Sequence, residues 1–140
     1  MRHVPQWAKP RMCLTSLVNN AGTFATGERG LFYLDAVKIA PVFAVNAIAP
    51  ALMAKHFADL LGNGTDLRVA NLTSGAGLLT DRAGHAGGQY SYSASKAALH
   101  LVIRPLSFDL SPRGVTVIGI APGYVETDMT RGGTATLQPD

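Results

Sequence analysis

Tyr92 and Lys96 have the residue types and the spacing to transfer a proton. They lie four residues apart in the predicted helix Tyr90–Leu110, so their side chains share one face. An ammonium beside a phenol favours the phenolate form, which makes the pair a candidate for acid–base chemistry. The alternative is an ordinary surface tyrosine beside a surface lysine, because pairs with this spacing are common in helices.

Further polar residues stand where predicted strands end or where an apolar helix is interrupted. Asn19 ends one buried apolar run, Ser74 follows a second, and Pro122-Gly123 ends a third. Asn46 lies inside an otherwise apolar helix. Open α/β sheets bind ligands at the carboxyl ends of their parallel strands, so the residues at these ends indicate a single site at that edge.

The elements that must position these residues alternate between strand and helix. The chain predicts three buried strands and two long helices, in the order Leu14–Asn19, Asp35–Leu61, Leu67–Thr73, Tyr90–Leu110 and Val115–Ala121, with a glycine-rich loop over Gly75–Gln89. This order favours an α/β fold, a partial doubly wound, Rossmann-like parallel sheet with right-handed crossovers. We expect its catalytic part at residues 14–130, an irregular arm at 1–13 and an irregular tail at 131–140.

Both predicted helices are apolar on nearly every face, which is typical of a helix that is covered on two sides. The sheet would cover one side of each helix. The other side needs more chain or another subunit, so we expect a homo-oligomer that forms through the two long helices.

Composition argues against several other classes of protein. The single Cys13 of the 140 residues forbids an intrachain disulfide and fits a reducing, cytoplasmic location. A net charge of +3 without a basic run argues against a nucleic-acid partner. The longest uncharged run, Ile39–Ala54, contains two prolines and is shorter than the roughly 20 apolar residues of a membrane span. His56 and Asp59 have no evident third ligand, so we expect a solvated face and no metal site.

The ordered set of motifs resembles the short-chain dehydrogenase/reductase family. In the family's order the segments are LVNNAG from Leu17, VNAIAP from Val45, TSGAG from Thr73, YSASK from Tyr92 and PGYVET from Pro122. Each motif alone is weak, whereas the ordered set is highly specific. The resemblance runs from Leu14 to Thr130 and looks most like the C-factor and sniffer-type carbonyl reductase branch.

The resemblance implies an NAD(P)-dependent oxidoreductase that transfers a hydride between nicotinamide and a small carbonyl or alcohol substrate. Tyr92 would be the general acid in reduction or the base in oxidation. Ser74 would hydrogen-bond the substrate oxygen, and Lys96 would bind the nicotinamide ribose and favour the Tyr92 phenolate. Asn46 would hold a relay water.

The resemblance also implies a set of residues that bind NAD or NADP. These residues are Asn19, Ala21, Gly22, Tyr92, Lys96, Pro122, Gly123, Val125 and Thr127. Asn19, Ala21 and Gly22 would line the adenosine side of the cofactor, and Thr127 would reach a phosphate.

One expectation about Asn46 follows from the sequence alone. Pro50 has no N–H, so the carbonyl of Asn46 four residues earlier lacks its helical donor. A free carbonyl would suit a relay water. The alternative is a helix kink that is filled by packing, and the residues leave both possibilities open.

The family's glycine-rich phosphate-binding turn should precede the NNAG motif. Only 18 residues precede Asn19, and they contain no glycine. We therefore expect a chain truncated at both ends, with weak or absent NAD(P) binding, because backbone N–H groups of that turn anchor the pyrophosphate. The alternative function is a catalytically inactive binding or signalling module on a truncated reductase fold.

Overall fold

The strands form one parallel sheet. The computed structural model of the chain describes residues 14–61, 66–80, 89–123 and 125. Its strands β1 (Ser16–Asn19), β2 (Leu67–Leu72) and β3 (Val115–Ile120) pair in the order β1-β2-β3, and both pairs are parallel. The predicted fold class is confirmed. Register places Asn19 opposite Asn71 and Asn71 opposite Gly119, so the three carboxyl ends meet at one edge.

Two long helical stretches connect the strands. The first comprises α1 (Ala36–Phe43), a π-helical turn (Ala44–Ile48) and α2 (Ala49–Phe57), and the second is α3 (Tyr90–Leu110), with the predicted bounds. Short 3₁₀ turns lie at Leu31–Tyr33, Gly75–Gly77 and Ser111–Arg113. The predicted loop over Gly75–Gln89 therefore opens with a helical turn, and its residues 81–88 lie outside the described part of the chain.

The long helix predicted over Asp35–Leu61 is present, but it ends earlier than predicted and contains a π turn. The α-helix ends at Phe57, and the turn around Asn46 is π-helical. In that turn the N–H of Ala49 donates to the carbonyl of Ala44, five residues earlier. A π turn is a local widening of an α-helix, and here it directly precedes Pro50, which cannot donate to the α-helical ladder.

One face of the sheet is covered by the helices. Leu61 and Leu110 pack with the strand residues Leu67, Val69 and Val115 into a buried cluster. On the opposite face, Val18 and Ile118 lie beside Ala70 in register. With only the described residues considered, Val18 is 57% exposed and Ile118 is 37% exposed. The described helices therefore form a single layer on the sheet.

The first helical stretch is long and apolar enough to meet the criteria for a membrane span, which the uncharged run Ile39–Ala54 did not meet. The continuous helix Ala36–Phe57 has 22 residues and a mean hydropathy of 1.7 in its most apolar window, which satisfies the length and composition of a membrane span. Lys38 and Lys55 lie inside its ends, which the uncharged run Ile39–Ala54 left out. Val42 and Ala54 of this helix are buried, whereas only 22% of that window is buried in the fold.

Two asparagine side chains, of which Asn71 is buried, tie the three strands together near their carboxyl ends. The side-chain nitrogen of Asn19 on β1 donates to Oδ1 of Asn71 on β2 at 2.8 Å, and Asn71 Nδ2 donates to the Ile118 carbonyl of β3 at 3.3 Å. Asn71 is 0% exposed. A buried amide is costly unless it is hydrogen-bonded, so this pairing fixes the edge where the polar residues gather.

The turn after β2 packs directly on the backbone of α3. A Cβ added at Gly77 would lie 2.6 Å from the Ala97 nitrogen and 2.7 Å from the Lys96 carbonyl carbon. Only a residue without a side chain allows two main chains to approach so closely. Gly77 therefore sets the distance between the Ser74 turn and the helix that carries Tyr92.

We predict that Gly77→Ala lowers the free energy of unfolding by about 2–3 kcal/mol, because neither backbone can yield easily to the added methyl group. Urea denaturation measures the change. Gly27→Ala is the control: Gly27 has a positive φ of 81° but no atom within 4 Å of an added Cβ, so only backbone strain of about 1 kcal/mol is expected. A Gly77→Ala cost no larger than the control's would contradict the close-packing argument.

Candidate active site

Tyr92 and Lys96 share a face of α3, as their spacing predicts. The ammonium of Lys96 lies 5.8 Å from the centre of the Tyr92 ring, and Lys96 is only 4% exposed. Lys96 Nζ donates to the carbonyl oxygen of Leu72, the last residue of β2, at 2.7 Å. The pair is therefore not an ordinary surface pair, because the lysine is buried at the carboxyl edge of the sheet.

Burial lowers the pKa of Lys96 from its ordinary value of 10.5, since desolvation disfavours the charged form. The Leu72 carbonyl accepts one of the three hydrogens that an ammonium carries. The remaining hydrogens are donors for a ligand at this edge. A partly desolvated cation of this kind holds nearby hydroxyl groups more strongly than a hydrated one.

Ser74 lies directly after β2 and caps the 3₁₀ turn Gly75–Gly77. Its hydroxyl oxygen accepts the N–H of Ala76 at 3.2 Å, and its carbonyl accepts the N–H of Gly77 at 3.1 Å. A hydroxyl that accepts in this way still has its own hydrogen to donate. Ser74 is half-buried, so that hydrogen can reach a ligand at the sheet edge.

The side chain of Asn46 joins three segments of the chain. Its Oδ1 accepts the N–H of Thr23 at 2.8 Å, and its Nδ2 donates to the Thr23 carbonyl at 2.8 Å and to Ser95 Oγ at 2.9 Å. Ser95 Oγ in turn donates to the main-chain carbonyl of Tyr92 at 2.8 Å. These bonds connect the turn after β1, the π turn and the first turns of α3.

Both side-chain hydrogens of Asn46 are used in these bonds, and Asn46 is 1% exposed. A relay water would therefore be held by the main-chain carbonyl of Asn46, which stays a prediction. Ser95 and Thr23 are not among the site residues predicted from the sequence. Ser95 had a usable signal, since it follows Tyr92 by three residues and must lie near the same helix face.

Glu28 also holds the start of α3. Its Oε1 accepts the N–H of Ser91 at 2.9 Å, one of the first amides of the helix. A carboxylate at this end satisfies an amide without an intrahelical partner and opposes the positive end of the helix dipole. The first turn of α3, which carries Tyr92, is thus fixed from a residue 63 positions earlier.

The residues predicted to bind the cofactor lie at the same edge where the structure describes them. Asn19 ends β1 and is followed by Ala21 and Gly22, while Pro122 and Gly123 follow β3. Gly123 has a positive φ of 78°, and no atom of the described residues lies within 4 Å of an added Cβ.

Three further residues predicted to bind the cofactor are Asn19, Val125 and Thr127, and the structure describes the first two. The Asn19 side chain is engaged with Asn71 and lies 3.5 Å from the Pro50 carbonyl. Val125 is about half exposed. Thr127 lies outside the described residues.

His56 and Asp59 lie on the exposed side of the helical stretch and its following turn, as the sequence analysis expected. Asp59 forms an ion pair with Arg113 at 3.0 Å. Among the residues that the structure describes, no group of three or more His, Cys, Asp or Glu side chains is arranged to hold a metal ion.

Comparison with known proteins gives a family match over nearly the whole chain. The family model described as short chain dehydrogenase matches residues 4–138. The C-signal of Myxococcus xanthus is 38% identical over 117 residues, which cover 81% of this chain and 66% of that protein. A 3-oxoacyl-[acyl-carrier-protein] reductase of Synechocystis is 34% identical over 114 residues, covering 81% and 43%.

Solved structures with the same fold include carbonyl reductases. The NADPH-bound carbonyl reductase from chicken fatty liver has a TM-score of 0.77 and 30% identity, over 87% of this chain and 50% of that one. Carbonyl reductase Sniffer of D. melanogaster has a TM-score of 0.76 and 29% identity, over 89% and 53%. The chain thus spans about half the length of these structures.

The buried ammonium makes stability depend on pH in one direction. Because folding lowers the pKa of Lys96, the unfolded chain binds more protons at this site between the lowered pKa and 10.5. Raising the pH through that window therefore favours the folded state. We predict that the unfolding free energy of the wild type, minus that of Lys96→Met, rises from pH 7 towards pH 10 in urea titrations.

The control for this experiment is Lys55→Met, which removes an exposed ammonium on α2 in place of the buried one. A difference for Lys96→Met that is flat or falls with pH would show that the ammonium is not desolvated in the folded chain.

Proposed function

The chain belongs to the short chain dehydrogenase family, and we propose that it transfers a hydride between NAD or NADP and a small carbonyl or alcohol substrate. The observation that supports this most directly is the buried Lys96 beside the Tyr92 ring, at the edge where Ser74 also lies. The nicotinamide would supply the hydride when bound. The side chains would orient the substrate and move the proton.

Tyr92 would hold the proton that the substrate oxygen gains or loses. Its hydroxyl is the general acid in carbonyl reduction and the base in alcohol oxidation. The main chain of Tyr92 is fixed through Ser95 and Asn46, so the phenol is positioned before the substrate arrives.

Ser74 would donate its hydroxyl hydrogen to the substrate oxygen. That donor stabilises the charge that develops on the oxygen as the carbonyl changes to an alkoxide. Because the turn Gly75–Gly77 already holds the serine oxygen, little reorganisation is needed on binding. The main-chain carbonyl of Asn46 would hold the water that connects Lys96 with solvent.

The cofactor would lie along the carboxyl edge of the sheet. The two remaining Lys96 hydrogens suit the hydroxyls of the nicotinamide ribose. Gly123, which follows β3, would lie beside the nicotinamide ring, and Gly22, which follows β1, would lie on the adenosine side. These donor types fit a nicotinamide cofactor.

A fluorescence titration with NADH and NADPH tests binding, and a steady-state assay over a panel of aldehydes and ketones tests turnover. We predict that Tyr92→Phe lowers kcat at least about 100-fold, because removal of a general acid–base group costs this much or more. Cofactor affinity should change little, since the ring and Lys96 remain.

Tyr90→Phe is the matched control, because Tyr90 is a half-exposed tyrosine in the same helical turn without a lysine four residues later. It keeps wild-type turnover. Retained turnover in Tyr92→Phe would overturn the assignment of Tyr92.

A second function is a non-enzymatic binding or signalling module. It is favoured by the similarity to the protein named C-signal, which is 38% identical. The titration also separates the two functions. Binding of NADH or NADPH at micromolar concentration supports the enzyme, and no binding at millimolar concentration supports the module.

We further propose that the chain associates with itself through the outer faces of its helices. Ile48 and Leu52 lie one turn apart on the first helical stretch, and both are about half exposed. Leu101 and Phe108 lie two turns apart on α3 and are 75% and 68% exposed. Apolar groups on one helical layer, opposite the sheet, are typical of a protein–protein interface.

We predict that the chain sediments as an oligomer at micromolar concentration, and that Leu101→Glu with Phe108→Glu converts it to a monomer by placing charges in the interface. The control is Ser111→Glu with Thr116→Glu, which adds the same charge at exposed polar positions away from Leu101 and Phe108. A wild-type monomer in analytical ultracentrifugation would contradict the proposal.

A further inference from the structure

His100 extends the line of polar side chains on α3 by one turn beyond Lys96. Its ring nitrogen Nε2 lies 3.2 Å from the main-chain carbonyl oxygen of Ser74. A carbonyl oxygen only accepts hydrogen bonds, so this contact is favourable only when Nε2 carries a hydrogen. The contact therefore selects the Nε2–H tautomer of neutral His100, and the protonated ring can make it as well.

Side chains on two successive turns of α3 thus donate to main-chain carbonyls at and just after the end of β2. Lys96 donates to Leu72, and His100 donates to Ser74. These two hydrogen bonds hold the end of β2 and the residues just after it against α3 at two points.

The same serine is held from its other side by the turn that follows it. Its carbonyl also accepts the N–H of Gly77, and its hydroxyl accepts the N–H of Ala76. Gly77 in turn lies against the backbone of Lys96 and Ala97. Among the described residues, His100 is the one α3 side chain that forms a hydrogen bond with the Ser74 main chain.

We propose that His100 is a positioning residue for Ser74: its imidazole fixes the serine main chain on α3, and with it the direction in which the hydroxyl donates. The inference rests on the proposed function, in which that hydroxyl binds the substrate oxygen. His100 itself does not touch substrate or cofactor in this role.

The kinetic test compares His100→Leu, which removes the donor, with His100→Gln, whose amide can donate from a similar reach. We expect kcat to fall about tenfold in the leucine variant, the value of one hydrogen bond, with an unchanged KM for the cofactor. The glutamine variant stays within about twofold of the wild type.

A double-mutant cycle separates positioning from a general loss of structure. In a Ser74→Ala background, His100→Leu should cause no further fall in kcat, because no hydroxyl remains to be oriented. Additive losses, or a glutamine variant as slow as the leucine variant, would overturn the inference.

A measurement without turnover tests the contact itself. ¹⁵N NMR of the histidine ring should show the Nε2–H tautomer, and amide hydrogen exchange at Gly77 should quicken in His100→Leu but not in His100→Gln. An Nδ1–H ring or unchanged exchange would overturn the inference while leaving the proposed function intact. Retained turnover in Tyr92→Phe would instead overturn the proposed assignment of the acid–base residue.

Discussion

The close approach of α3 to the end of β2 is the constraint on which the rest of the site depends. The absence of a side chain at Gly77 lets the two main chains meet, and the buried Lys96 ammonium then reaches the Leu72 carbonyl at 2.7 Å. A buried charge needs such a partner, because its desolvation is otherwise uncompensated. Tyr92 and Ser74 are brought to one edge because they belong to the two elements that this contact joins.

Buried amides hold the other elements at the same edge. Asn71 links the three strands, and Asn46 links the turn after β1 to the π turn and α3. Each amide is almost completely buried, so each missing bond would leave an unsatisfied group in a low-dielectric interior. The same network that stabilises the sheet edge therefore preorganises the first turn of α3.

The described residues leave two apolar surfaces exposed: the outer faces of the helices and the uncovered face of the sheet. Leu101 and Phe108 project away from the sheet, whereas Val18 and Ile118 lie on the sheet face that the described helices do not cover. A layer of helices on one side of a sheet can bury only one face of each element. Association through the helical layer would bury the first of these surfaces and leave the second unchanged.

The sequence by itself determined the strand–helix order and the bounds of α3, because periodicity and turn residues act locally. It also determined that Asn19, Ser74 and Gly123 lie at one edge, because parallel strands end at the same edge of a sheet. It could not determine the π turn, nor that the Asn46 side chain is used up by Thr23 and Ser95. It did not identify the carbonyl partners of Lys96 and His100 either. The side-chain contacts of Asn46, Lys96 and His100 are decided by the tertiary structure, because they join residues 23 to 49 positions apart, whose geometry exists only once helix and sheet have packed.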